Sequence, residues 1–292
     1  MTSKICYIIE EYLDDVEVSY RKIEAFSCVN YFYSRYDNGI EYDLRLIVDN
    51  SLQIVCLKIY NDSLKVPDEE DCLPVIEYCR QINASFEFGG LTVNADGVCF
   101  RCEVPITEDD FTYKTLRLME VNGLSTLSVH YSALAALCEG QMVMPNLELD
   151  VPLFGLSDSD MLYKETIKTI SAYLADNYSG YSFENDAFCS ELSVNGEKHL
   201  LKIEIPNHSL ITVKLFSHQE IKELHDDDFT NLLNFATARN NLGIFCSDAA
   251  GSIYIKTNIS IIDVAVSSEM IEKTISLMVD SLSECIELLQ SS

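Results

Sequence analysis

The feature that most constrains this chain is that it repeats itself. Residues 40–132 have a degenerate echo in residues 196–289, with the same elements in the same order. A chain of 292 residues exceeds the roughly 100 to 150 residues over which a single core usually closes. Two copies of one small α+β module fit both the length and the echo, and 48% apolar residues supply material for two cores.

The first copy opens with a helix expected over residues 3–13, followed by strand-like runs at 29–36, 42–48 and 52–60. Asp49-Asn50-Ser51 separates the last two runs, a turn composition that recurs as Pro206-Asn207-His208-Ser209 between runs 200–205 and 210–216. A short helix follows in each copy, at 72–82 and 228–239, and ends in asparagine, Asn83 or Asn240-Asn241. Asparagine is expected where a chain leaves a helix through a left-handed or turn conformation. A second hairpin comes next, 86–93 with 98–106 and 242–247 with 252–261. On its returning strands Val98, Phe100, Cys102, Val104 and Ile106 alternate, as do Ile253, Ile255, Ile259 and Ile261. Period two predicts a sheet with one buried face.

A long amphipathic segment closes each copy. Ile271, Ile275, Met278, Leu282, Ile286 and Leu289 form a clean helical stripe, whereas the stripe of the first copy is interrupted at Gly123. Each module thus reads α-β-β-β-α-β-β-α, an antiparallel sheet covered by helices on one face. The modules are expected at 1–144 and 159–292, joined by a Pro- and Gly-containing connector at 145–158. A sheet covered on one side needs its other face solvated or joined to another module, so the two copies are expected to pair as an intrachain pseudo-dimer.

Charge narrows the partners. The chain carries 47 acidic and 20 basic residues, a formal net charge of −27. Such a surface repels phosphate backbones and anionic membranes, and it serves either solubility alone or attraction to basic protein segments. No apolar run reaches the length that crosses a bilayer, and the amino terminus has no signal-peptide pattern, so a cytoplasmic location is expected. The eleven cysteines are scattered through apolar segments, and most read as reduced, buried small hydrophobes.

Catalytic chemistry finds no foothold. Cys99 and Cys102, three apart on a strand, point to opposite faces and have no matching pair at zinc spacing. Cys72 and Cys79 share a helical face, where packing explains them. His218 and His225 flank an acidic connector that fits no metal motif and has no counterpart in the first copy. His130 lies two turns from Cys138, too far along one helix for a nucleophile and its base. The acidic runs at 68–71, 108–110 and 226–228, and Ser267-Ser268-Glu269, stand before helices and read as caps. No catalytic residue, cofactor site or metal site is assigned.

Tyr31, Phe32, Tyr33 and Tyr36 crowd one early strand with rings on both faces. They form either a ring-lined contact surface for a peptide or a strand packed between the modules. The phrases Ile82-Asn83, Phe88-Gly89, Asp96-Gly97-Val98 and Phe100-Arg101, in this order of elements, resemble the YbjN family, described as bacterial sensory transduction regulators. The resemblance covers each module separately. In the second module Lys256 stands where Arg101 does. The resemblance implies a fold similar to type III secretion chaperones, small acidic cytoplasmic proteins that dimerise and hold partly unfolded clients. It supplies no catalytic residues. The expected function is therefore non-catalytic binding of a protein or peptide client, with a preference for basic segments. Tyr31, Tyr33, Tyr36, Phe86, Phe88 and Phe100 are the expected contacts. A small-ligand sensor with its site in the cleft between modules is the alternative, and a hydrolase of unknown substrate a more distant one.

Overall fold

The computed structural model describes residues 2–66, 72–107, 111–146, 160–194, 196–207, 209–217, 226–240, 242–248, 251–262 and 264–291. The chain divides into two compact units, Met1–Gly155 and Leu156–Ser292. The expected connector, from residue 147 onward, lies outside the described residues.

The first unit runs α1 (Thr2–Asp15), β1 (Tyr20–Ala25), β2 (Cys28–Asp37), β3 (Ile40–Asp49), β4 (Ile54–Tyr60), α2 (Leu73–Asn83), β5 (Gly90–Asn94), β6 (Gly97–Pro105) and α3 (Tyr113–Cys138). The second repeats it as α4 (Asp160–Asn177), β7 (Tyr181–Glu184), β8 (Ala187–Val194), β9 (Glu197–Asn207), β10 (Leu210–Phe216), α5 (Asp226–Arg239), β11 (Ile244–Ser247), β12 (Ile253–Ser260) and α6 (Ser268–Ser291). Both sheets have six strands and one connectivity, β1-β2-β3-β4-β6-β5 and β7-β8-β9-β10-β12-β11. Every neighbouring pair is antiparallel.

The expected element order needs one correction: four strands, not three, precede the internal helix. The extra strands, β1 and β7, are outermost in their sheets, and both are exposed almost throughout. An exposed edge strand buries no face, so Tyr-Arg-Lys-Ile-Glu-Ala carries no period-two signal to read.

The core sits between each sheet and its helices. In the first unit Leu44, Ile59 and Phe100 stand side by side across β3, β4 and β6, as do Leu46, Leu57 and Cys102 one step along. All six are buried. The returning strands differ from the expected single buried face. β6 and β12 are buried along their whole length, including Cys99, Arg101 and Glu103 on one and Tyr254, Lys256 and Asn258 on the other.

The repeated turn chemistry is local. Asp49 Oδ1 accepts from the amides of Ser51 and Leu52 at 2.9 and 3.0 Å, and Asn207 Oδ1 accepts from Ser209 N at 3.0 Å. These are side-chain mimics of a backbone turn. Each loop then clasps the end of the returning strand, with Ile106 N donating to Gln53 O and Ile261 N to Ser209 O, both at 2.9 Å.

The long helices start on hydroxyl caps, Thr112 Oγ1 accepting from Thr115 N at 3.3 Å and Ser267 Oγ accepting from Met270 N at 3.1 Å. The acidic runs at 68–71 and 108–110 lie outside the described residues, and Cys72 begins α2 without a side-chain cap. Helix α3 passes through Gly123 unbroken. A Cβ on Gly123 would stand 2.6 Å from Ile59 Cδ1 and 2.7 Å from the Phe100 ring, so the missing side chain lets helix and sheet close. Among the described residues no helix is long and apolar enough to cross a membrane.

Candidate functional site

Five of the six aromatic residues expected to make contacts are core residues: Tyr31, Tyr33, Phe86, Phe88 and Phe100 are buried, while Tyr36 is 72% exposed. The correction has a physical cause. On β2 the odd-numbered positions face the helices, and each tyrosine there finds a carboxylate for its hydroxyl, half-buried Glu10 for Tyr31 and fully buried Glu120 for Tyr33. Tyr31 Oη donates to Glu10 Oε1 at 3.0 Å and Tyr33 Oη to Glu120 Oε2 at 2.9 Å. A tyrosine so satisfied is an ordinary core residue. Phe100 fills the space over Gly123, and Phe86 lies 5.4 Å from the His130 ring. Tyr36 alone of the six remains on the surface, its hydroxyl bonded to Glu41.

Sequence reasoning missed the polar core beneath. Glu120 of α3 is fully buried and meets Arg35 Nε at 2.5 Å in addition to Tyr33. Burial pushes its carboxyl above the usual range, opposed by the Arg35 guanidinium and the Tyr33 and Tyr12 hydroxyls. His130 of the same helix takes a 2.8 Å hydrogen bond with Tyr78 Oη through Nδ1. Burial pushes its imidazole down to about 4. It is therefore neutral near pH 7, and the tautomer sets which of the two groups donates. This histidine braces α2 against α3; it activates neither Ser128 nor Cys138.

Asn83 does not end α2 by a left-handed turn, since positive φ occurs elsewhere. Its side-chain amide donates to Leu91 O and accepts from Leu91 N, both at 2.7 Å, pinning β5 to the helix end. Asn240 plays a related part, donating from Nδ2 to Gly243 O at 2.9 Å.

The sheet face turned away from the helices carries an ordered charge pattern. Arg45, Lys58 and Arg101 stand directly opposite one another across β3, β4 and β6. Lys202, Lys214 and Lys256 do the same across the equivalent β9, β10 and β12. Six of the chain's 20 basic residues thus lie in two three-abreast rows. Like charges directly opposite are unfavourable in a sheet, and each row is compensated locally. Arg101 Nε is paired with Glu103, and Glu204 meets both Lys202 and Lys214 at 2.5 Å. Burial raises the Glu204 carboxyl, but the two ammonium groups outweigh it and hold the carboxyl low. Lys256 is pushed down by burial.

In the first unit this row continues outward to Phe32 and Arg21. The guanidinium carbons of Arg21 and Arg45 lie 4.9 and 5.4 Å from the Phe32 ring centroid. These three residues, with Asp43, Tyr60 and Asp96, line a concavity of about 620 Å³ beside the exposed edge strand β1. The site offers two forked cation donors, an aromatic surface and two carboxylates, one of which, Asp43 Oδ1, accepts from Ser34 Oγ at 3.0 Å.

Among the described residues no group of three or more His, Cys, Asp or Glu side chains is placed to hold a metal ion. Cys102 faces the core opposite Leu57 while Cys99 stands opposite Tyr60 on the other face, as their spacing predicts. All eleven cysteines are free thiols. His218 and His225 lie outside the described residues. No family model matches this chain, and no curated protein matches it.

Proposed function

We propose that this protein is a non-catalytic protein-binding module of chaperone-like or regulatory character, akin to the YbjN family, whose first unit takes an extended client segment alongside β1. One observation carries the reading: β1 is an exposed outermost strand that borders a concavity presenting Arg21, Phe32 and Arg45. Such an edge offers unpaired main-chain donors and acceptors to a strand laid beside it, and alternate client side chains then reach a neighbouring pocket. Forked guanidinium groups around a phenyl ring suit a client carboxylate or aromatic side chain. Arg21, Lys22 and Glu24 on the same strand discourage indiscriminate pairing. The strongly acidic exterior speeds encounter with clients that are basic overall and disfavours nucleic acid.

The test is selection of extended peptides from a displayed library against the full chain, followed by hydrogen exchange of the amides of Tyr20–Ala25 with and without a selected peptide. The expected result is protection of those amides, with tenfold or greater loss of affinity in an Arg21→Glu, Arg45→Glu variant and loss of protection in Ile23→Pro. Selected peptides that leave the β1 amides unprotected would overturn the assignment.

A further inference from the structure

The two units differ beside the internal helix. In the first, the cleft between α2 and α3 is occupied by Tyr78, His130 and Phe86, with ring centroids 5.9 and 5.4 Å from the histidine. Three anchors allow the second unit to be laid over it. Asn83 and Asn240 each hold the backbone that returns from the helix. Gly89 and Gly243 both have positive φ and both press on a main-chain carbonyl of the returning strand; a Cβ would stand 2.8 Å from Arg101 O in one and 2.5 Å from Lys256 O in the other. Thr112 and Ser267 cap the long helices, which places His130 and Cys285 at the same helical position.

Between these anchors the second unit is shorter. Five residues separate Asn83 from Gly89, and two separate Asn240 from Gly243. The residue before each glycine is buried, Phe88 in one and Leu242 in the other, so the missing residues are those that carry Phe86. The other two occupants of the cleft change as well. Cys285 replaces His130, and Phe235, which is 46% exposed, replaces Tyr78. Arg239 is drawn over the Phe235 ring at 5.0 Å. What remains is a cavity of about 520 Å³ bounded by Ala236, Phe245, Ser281 and Cys285, with Glu284 and Glu287 at its exposed rim. The first unit has Val129 and Ser132 where those two carboxylates stand.

We propose that this cavity seats a phenylalanine side chain from a basic peptide segment of a client protein. The occupant is argued from the molecule's own first unit, where the equivalent space is filled by Phe86 delivered on a short loop. The flanking basic residues are argued from the two rim carboxylates that the first unit lacks and from the net charge of −27. The volume falls within the roughly 300 to 1,000 Å³ typical of sites that take a discrete group. The inference rests on the protein-binding reading above but concerns a different surface in the other unit.

The probe is the capped pentapeptide Lys-Ser-Phe-Lys-Lys, titrated calorimetrically into the full chain at low ionic strength, against Lys-Ser-Ala-Lys-Lys and Glu-Ser-Phe-Glu-Glu. Burial of one phenyl ring predicts at least tenfold weaker binding of the alanine peptide, and the acidic peptide should not bind. Ala236→Phe supplies a ring from α5 and should abolish binding. Should that variant misfold, the Glu284→Lys, Glu287→Lys pair changes exposed positions only and should weaken binding at least fivefold and flatten its salt dependence. Equal affinity for the phenylalanine and alanine peptides, or undiminished affinity in the charge-reversed pair, overturns the assignment. Protection of the β1 amides by library-selected peptides reports the other surface, so its persistence when this probe fails removes the cavity assignment alone.

Discussion

Gly123→Ala tests the packing logic of the first unit directly. A helix interior ordinarily gains about 1 kcal/mol when glycine becomes alanine. Here the new methyl group would stand 2.6 Å from Ile59 Cδ1 and 2.7 Å from Phe100 Cδ1, and both side chains are fully buried. Neither can swing into solvent, so the helix or the sheet must shift, which in a packed core costs about 1 to 3 kcal/mol. The net expectation is destabilisation of the first unit by about 1 kcal/mol, or about 2 to 4 °C in midpoint for a domain of this size. Gly180→Ala is the control, because nothing lies within 4 Å of a Cβ there, and it should be neutral or slightly stabilising. The second unit shows the complementary solution, with Met278 and Ile255 at the positions of Gly123 and Phe100. A double-mutant cycle with Phe100→Ile, read by denaturant unfolding, should therefore reveal at least about 1 kcal/mol of favourable coupling. Stabilisation by Gly123→Ala alone, or strict additivity in the cycle, would refute the close-approach argument.

Three further outcomes follow from the buried polar groups. The folded state holds His130 at about 4 against an ordinary 6.5, so between those values the unfolded chain binds more protons. Its contribution is complete above pH 6.5 and is lost as pH falls toward 4, by about 2 to 3 kcal/mol; His130→Phe should flatten that part of the stability–pH curve. Arg35→Met leaves the Glu120 carboxylate buried beside two tyrosines, which should cost about 3 kcal/mol at neutral pH. Because burial already raises that carboxyl above its unfolded value, the penalty should shrink as pH falls through the raised folded-state range and be gone by the unfolded carboxylate value, and a constant penalty down to pH 3 would count against the ion pair. Asn83→Ala deprives the Leu91 N–H and C=O of their side-chain partners, for a loss of about 2 to 3 kcal/mol; native-state hydrogen exchange should show faster opening at Leu91 than at Leu57.

Much of the fold is legible from residue order alone, because the signals involved are local. The echo of the two halves, the alternation on β6 and β12, the stripe of α6 and the Asp49 and Asn207 turns each depend on residues within a few positions of one another. The loop-length difference between Asn83–Gly89 and Asn240–Gly243 is equally a property of the string. It acquires meaning only when Phe86 is seen to fill in one unit the space left open in the other.

What tertiary structure alone decided is which side of each periodic pattern is covered, and by what. Alternation assigns Tyr31 and Tyr33 to one face of β2 and Phe32 to the other, but burial of a face is conferred by elements far along the chain, here α3 with Glu120 and α1 with Glu10. The same reason hides the edge strands β1 and β7, which bury nothing and so leave no hydrophobic period. It also hides the rows Arg45–Lys58–Arg101 and Lys202–Lys214–Lys256, whose members are neighbours only through strand register. Sequence determines which residues travel together on a strand or helix; the pairing of distant elements determines which of them become core, and which are left to meet a partner.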